Sequence, residues 1–182
     1  MTGAAHERLL AVVVCGAGPA ASVMTLTGHA IDRGWTVQVI ATPAALEFID
    51  AAAIKAQTGS PVRCQYSPPG SPRSEVPNAI IVAPATYNTI CKWAGGSSDT
   101  YALGFLAEMT GMGIAVTVLP FVNTALASRA PFRRSVESLR DEGVRILLGP
   151  GEFEPHPPRT GRGPAGSFPW ILALDEAERL TR

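Results

Sequence analysis

The heptad Ala83-Pro84-Ala85-Thr86-Tyr87-Asn88-Thr89 directly follows the apolar run Ala79–Val82 and puts hydroxyl and amide groups where a strand gives way to a loop. Pro84 is expected to stop the strand, Ala85 to leave room for a flat ligand, and Thr86, Asn88 and Thr89 to hydrogen-bond it. Upstream, Gly16-Ala17-Gly18-Pro19-Ala20-Ala21 matches GxGxxA between a strand and a helix. Backbone N–H groups and the positive end of a helix there suit a phosphate. The same glycines would also serve close helix–sheet packing with no ligand at all. A dinucleotide site wants an acidic residue after the second strand to hold a ribose. Thr42 stands there instead, and its hydroxyl suits a phosphate better.

Proton transfer at neutral pH points to histidine. His6 lies in a polar amino terminus and reads as solvated, and His29 reads as a partly exposed helix residue. His156, in Glu152-Phe153-Glu154-Pro155-His156-Pro157-Pro158-Arg159, is either an exposed loop residue or an acid–base group. Arg159 and Arg162 share its loop, where a guanidinium would suit a carboxylate or phosphate. Cys15, Cys64 and Cys91 are odd in number and lack CxxC or Cys/His spacing, which argues against a disulfide framework and against a metal site. Reduced thiols in a cytoplasm are the simplest reading.

These groups need elements to hold them. Leu9–Cys15 is a continuous apolar, β-branched run, as in a strand buried on both faces of a parallel sheet. A helix is expected over Ala20–Arg33, a strand over Thr36–Ala41, one or two helical segments over Pro43–Gln57 and a short edge strand over Val62–Tyr66. Ala79–Val82 and Ile114–Leu119 read as further buried strands and Val144–Leu148 as the last one. Asn88–Ala94, Asp99–Thr110, the stretch carrying Phe132, Val136 and Leu139, and Phe168–Leu180 read as helices. The alternation predicts an α/β fold: a Rossmann-like or flavodoxin-like three-layer sandwich around a central parallel sheet. One domain over residues 1–182 is expected, with a flexible amino terminus at 1–8 and Pro/Gly-rich loops at 67–78 and 149–167. The latter loop would leave the carboxyl edge of the sheet, bringing His156 toward the ligand.

The heptad resembles the Pro-Ala-Ser-Ala-Asn-Thr motif of the homo-oligomeric flavin-containing cysteine decarboxylases, which include phosphopantothenoylcysteine decarboxylase and the peptidyl-cysteine decarboxylases of lantibiotic biosynthesis. The resemblance is collinear from Leu9 to about Leu148, taking in the glycine turn and Thr42-Pro43-Ala44-Ala45-Leu46-Glu47-Phe48-Ile49. It implies FMN as cofactor, bound by Gly16, Ala17, Gly18, Thr42, Ala85, Thr86, Asn88 and Asp99, the last within Gly95-Gly96-Ser97-Ser98-Asp99. Asp99 also reads as an ordinary helix N-cap. Pro120-Phe121-Val122-Asn123-Thr124-Ala125-Leu126-Ala127 occupies the place of the family's Pro-x-Met-Asn-x-x-Met-Trp motif, implying that Asn123 holds a substrate carboxylate; both methionines and the tryptophan are replaced. Decarboxylating members carry a histidine ahead of the heptad, and Ser67–Asn78 has none; the cysteine of the pantothenate branch is also missing from Gly149–Ser167. His156 is the candidate replacement, and Asn123 and His156 are the two catalytic candidates. Tyr87 either narrows the pocket, stacks near the flavin or packs, and Trp93 and Trp170 read as helix packing or subunit contacts.

The implied function is an FMN-dependent oxidative decarboxylase or related oxidoreductase acting on a small or peptidyl carboxylate or thiol substrate. The alternatives are a catalytically silent FMN-binding regulatory subunit and a flavin prenyltransferase-like enzyme. Fifteen basic residues balance fifteen acidic ones, with 46% hydrophobic and 16% charged residues, so neither nucleic acid nor an anionic membrane is an expected partner. The run from Leu9 is broken by Gly16, Gly18 and Pro19, so no membrane span or export signal is expected. Such an apolar, neutral chain suits an oligomer, and the resemblance implies a homotrimer or a multiple of trimers.

Overall fold

The computed structural model describes residues 8–68, 70, 74–160 and 168–182. His6 and Arg162, with parts of both Pro/Gly-rich loops, lie outside them. Strands β1 (Arg8–Val14), β2 (Trp35–Ala41), β3 (Ala79–Ala85), β4 (Ala115–Pro120) and β5 (Arg145–Ile146) form one parallel sheet in the order β2-β1-β3-β4-β5. All seven residues of β3 are buried, as are Leu10–Val14 of β1, which is why both strands read as unbroken apolar runs. Each buried Leu, Ile or Val there contributes roughly 1.5–3 kcal/mol relative to exposure. The helices are α1 (Val23–Asp32), α2 (Ala51–Thr58), α3 (Tyr87–Ala94), α4 (Tyr101–Gly111), α5 (Thr124–Ala127), α6 (Ala130–Asp141) and α7 (Trp170–Leu180). α1 packs on α2 and α7, while α3 packs on α4 and α6, giving two helical layers around the sheet. Among the described residues, no helix is long and apolar enough to cross a membrane.

The strand order reverses direction at β1 and β3. In flavodoxin-like sheets of this order, the crevice outside the carboxyl ends of those two strands is the ligand site.

Several boundaries differ from the sequence reading. The helix expected from Ala20 opens as a 3-10 turn over Gly18–Ser22, with Ala20 N–H donating to the Ala17 carbonyl at 2.9 Å, and becomes α-helical at Val23. Pro84 does not stop β3: the strand runs on to Ala85 through a register shift after Val82. A bulge is where a sheet tolerates a residue without an N–H. The edge strand expected over Val62–Tyr66 shrinks to one bridge between Arg63 and Ile40. Past Arg63 the chain turns outward, and Tyr66 meets Tyr101 edge-on at 5.1 Å. Its hydroxyl occupies the space a Cβ on Gly104 would need.

α4 is capped by Thr100, whose Oγ1 accepts from Leu103 N–H at 3.3 Å, not by Asp99. Asp99 instead meets Lys92 Nζ at 2.5 Å. α5 was not apparent in the sequence. Asn123 caps it, its Oδ1 accepting from Leu126 N–H at 2.9 Å. Phe132, Val136 and Leu139 are buried on α6 as expected, and Trp93 and Trp170 are buried in helix packing.

Candidate functional site

The loops after β1, β2 and β3 are stitched together by their backbones. Thr42 N–H donates to the Val14 carbonyl at 2.9 Å, and Cys15 N–H to the Pro84 carbonyl at 3.2 Å. Gly16 lies so close to the loop after β2 that a Cβ on it would stand 2.8 Å from the Ala44 carbonyl oxygen. A glycine is needed there for close approach rather than for backbone conformation, since Gly16 is not in the left-handed region.

Between these loops and α4 lies a cavity of about 360 Å³, within the size range of small-molecule sites. Gly16, Thr42, Thr86 and Asn88 line it, with Thr89 and Lys92. Thr86 is the N-cap of α3, accepting from Thr89 N–H at 3.3 Å, and the two hydroxyls lie 3.1 Å apart. The cavity thus receives the N-termini of α3 and α4, both positive dipole ends. A larger space of about 710 Å³ flanks α4 beside Tyr66, Tyr101, Phe105 and Met109. It lies away from the strand-end loops, so the smaller cavity is the candidate site.

Of the cofactor-site residues expected from sequence, Gly16, Thr42, Thr86 and Asn88 share this cavity, whereas Ala17, Gly18, Ala85 and Asp99 are not among its walls. Ala85 is fully buried in β3, paired with Pro120, and its carbonyl accepts from Phe121 N–H at 2.8 Å. Its small side chain fills the core rather than leaving room for a ligand. Tyr87 stacks on Phe132 at 5.6 Å, which resolves it as packing. Beneath the heptad, burial pushes the Cys15 thiol above its ordinary range, with hydrogen bonds from the Thr89 and Thr86 groups only partly offsetting it. Lys92 was missed in the sequence, though Thr86, Thr89 and Lys92 recur at i, i+3 and i+6, one helix face.

Asn123 and His156 come together one strand further along the same edge, past the end of β4. They form a parallel bridge, with Thr124 N–H donating to the His156 carbonyl at 2.8 Å. The His156 ring stacks on Phe121 at 4.7 Å, and its Nδ1 is buried without a hydrogen-bond partner. Asn123 spends its Oδ1 on the α5 cap, leaving the amide Nδ2 as a donor. The segment is braced from below: Arg145 pairs with Glu152 and, at 2.6 Å, with Glu176. His29 is exposed on α1, and Arg159 is exposed with φ of 68°. Among the described residues, no group of three or more His, Cys, Asp or Glu is placed to hold a metal ion.

Residues 3–167 match the family described as Flavoprotein. The chain belongs to the Flavoprotein family. Among characterised proteins, this flavoprotein is 28% identical over 137 residues to the coenzyme A biosynthesis bifunctional protein CoaBC of Vibrio cholerae serotype O1, covering 71% of this chain and 33% of that protein. It therefore spans about a third of the length of the curated relatives it matches. The crystal structure of SpaF, an FMN-dependent cysteine decarboxylase, is similar with a TM-score of 0.70 at 25% identity over 96% of this chain and 98% of that one. The cypemycin decarboxylase CypD gives a TM-score of 0.70 at 22% identity over 97% and 94%. The flavoprotein's α/β fold is that of these structures. Its cavity suits a flavin nucleotide: hydroxyl and amide groups from Thr42, Thr86, Asn88 and Thr89, the Lys92 side chain, and two helix N-termini for a phosphate.

Proposed function

We propose that this flavoprotein, as one domain, binds FMN through Gly16, Thr42, Thr86 and Asn88 and carries out oxidative decarboxylation of a small or peptidyl substrate bearing a carboxylate and a thiol. The observation that carries the reading is the Asn123–His156 bridge on the carboxyl edge that also bears the cavity. Bound FMN supplies the two-electron oxidation, which turns the thiol-bearing centre into a sink for the electron pair that departing carbon dioxide leaves behind. The protein's own tasks are then positional. The free Nδ2 donor of Asn123 holds the substrate carboxylate, and His156, fixed by its backbone bridge and by Phe121, moves the proton. His156 thereby fills the role left open by a Ser67–Asn78 segment without histidine.

Leu46 and Phe48, each 42% exposed, follow the Pro43–Ala44 wall and offer apolar surface for a second copy. We expect a cytoplasmic homotrimer or a multiple of trimers, and a monomer in solution would count against a complete site. The test is the visible spectrum of the purified protein, with the released chromophore identified by mass, followed by incubation with peptides ending in cysteine. His156→Asn should keep the flavin and lose turnover, and Asn123→Ala should weaken substrate without releasing FMN. Bound FMN with no turnover on any thiol-bearing carboxylate would favour the silent regulatory role that the missing family histidine also suits. A colourless protein that refuses FMN would overturn the reading.

A further inference from the structure

Every wall of the cavity is neutral except Lys92. Thr86, Thr89 and Lys92 follow one another along one face of α3, so the lysine stem extends the row of hydroxyls. Its ammonium is paired with a residue just ahead of α4. Asp99 Oδ2 holds Nζ at 2.5 Å, and Asp99 adjoins Thr100, itself a wall of the cavity and the cap of α4. A carboxylate takes one of the three N–H donors of an ammonium, leaving two for another anion. The lysine side chain is 38% exposed and lines the cavity as well. The α3 and α4 N-termini add positive potential to the same space.

We infer that Lys92 sets the site's preference for a flavin carrying a 5′-phosphate over the same flavin without one, and that Asp99 is a positioning residue acting through it. The inference rests on the FMN reading and adds to it the residue that discriminates between two flavins. A charge-assisted hydrogen bond to phosphate is a strong contact, and one ammonium on a half-exposed anion corresponds to a change in affinity on the order of tenfold. The isoalloxazine and ribityl portions need no cation.

Titrating FMN and riboflavin separately into apoprotein, by quenching of flavin fluorescence, tests this without recourse to turnover. Lys92→Gln is expected to raise the Kd for FMN about tenfold while leaving that for riboflavin within about twofold. Lys92→Arg should retain most of the preference. Added salt should weaken FMN binding more in the wild type than in Lys92→Gln, because the lost contact is ionic. Equal loss of both flavins, or no loss of either, overturns the assignment, as does loss of the preference in the arginine variant. A wild-type protein that binds neither flavin refutes the FMN reading itself, which keeps the two failures apart.

Discussion

Gly16→Ala isolates the close approach on which the cavity is built. The added Cβ would stand 2.8 Å from the Ala44 carbonyl oxygen and 2.9 Å from both its carbonyl carbon and its Cβ. Comfortable carbon contacts lie at about 3.5–4.0 Å, so the two loops must part by roughly 0.6–1 Å. Two of the three obstructing atoms are backbone, so no side-chain rotation relieves the clash. Because Gly16 has no left-handed φ, alanine carries no conformational penalty there and would, given space, stabilise the fold by about 0.4–1 kcal/mol through the unfolded chain. Overpacking costs about 1–3 kcal/mol, which leaves a mid-range net loss of roughly 1.3 kcal/mol. The displaced loop carries Thr42, so one hydrogen bond to FMN worth about 0.5–1.5 kcal/mol is weakened and FMN affinity should fall roughly two- to tenfold. Urea denaturation and FMN titration of the variant measure both effects. A variant as stable as the wild type, with unchanged FMN affinity, would refute the packing argument.

Two further outcomes follow from the electrostatics. Hydrogen bonds from Arg179 and Arg145, opposed by burial, hold Glu176 at about 2, below its ordinary 4.5. A depressed carboxyl contributes stability that is fully present above about 4.5 and is lost as pH falls toward 2. With its arginine partners partly solvated, that contribution is about 1 kcal/mol. Glu176→Gln should therefore be less stable than the wild type at pH 7 and indistinguishable from it near pH 2, by urea denaturation; an equal gap at both would exclude the linkage. Cys15, fully buried with its thiol pushed up, should resist iodoacetamide until the protein unfolds, whereas half-buried Cys64 and Cys91 should react first. Native labelling of Cys15 at the rate of Cys64, read by peptide mass mapping, would contradict this.

The sheet was legible because its strands are short apolar runs flanked by glycine and proline, and burial on both faces leaves little room for another pattern. What escaped was set by contacts distant in sequence. Val62–Tyr66 has strand-like residues, but Tyr66 docks on Gly104 and Tyr101, and that pull ends the pairing after Arg63. Proline rules suggested an end at Pro84, where the sheet instead absorbs it at a register shift. The same division holds at the site. Gly16, Thr42, Thr86 and Asn88 could be placed together because each lies just past a strand end or at a helix start, and strand ends converge in this topology. Asp99 reads from sequence as either a ligand residue or an N-cap, and sequence order cannot reveal that Lys92, one helix earlier, pairs with its carboxylate.

The bridges that hold His156 carry a consequence for how this region can vary in length. Phe153 is registered against Leu148 and His156 against Asn123, so the stretch between them is spanned like a measured rung rather than a slack tether. In extended chain, a shift of one residue turns a side chain to the opposite face. A single insertion or deletion between Phe153 and His156 would thus swing the imidazole off Phe121 and away from Asn123. The same change beyond Thr160, past the last described hydrogen bond of the loop, would leave the phase of His156 untouched. Length variants on the two sides of that boundary should differ in kind, the former losing His156 geometry and the latter keeping it.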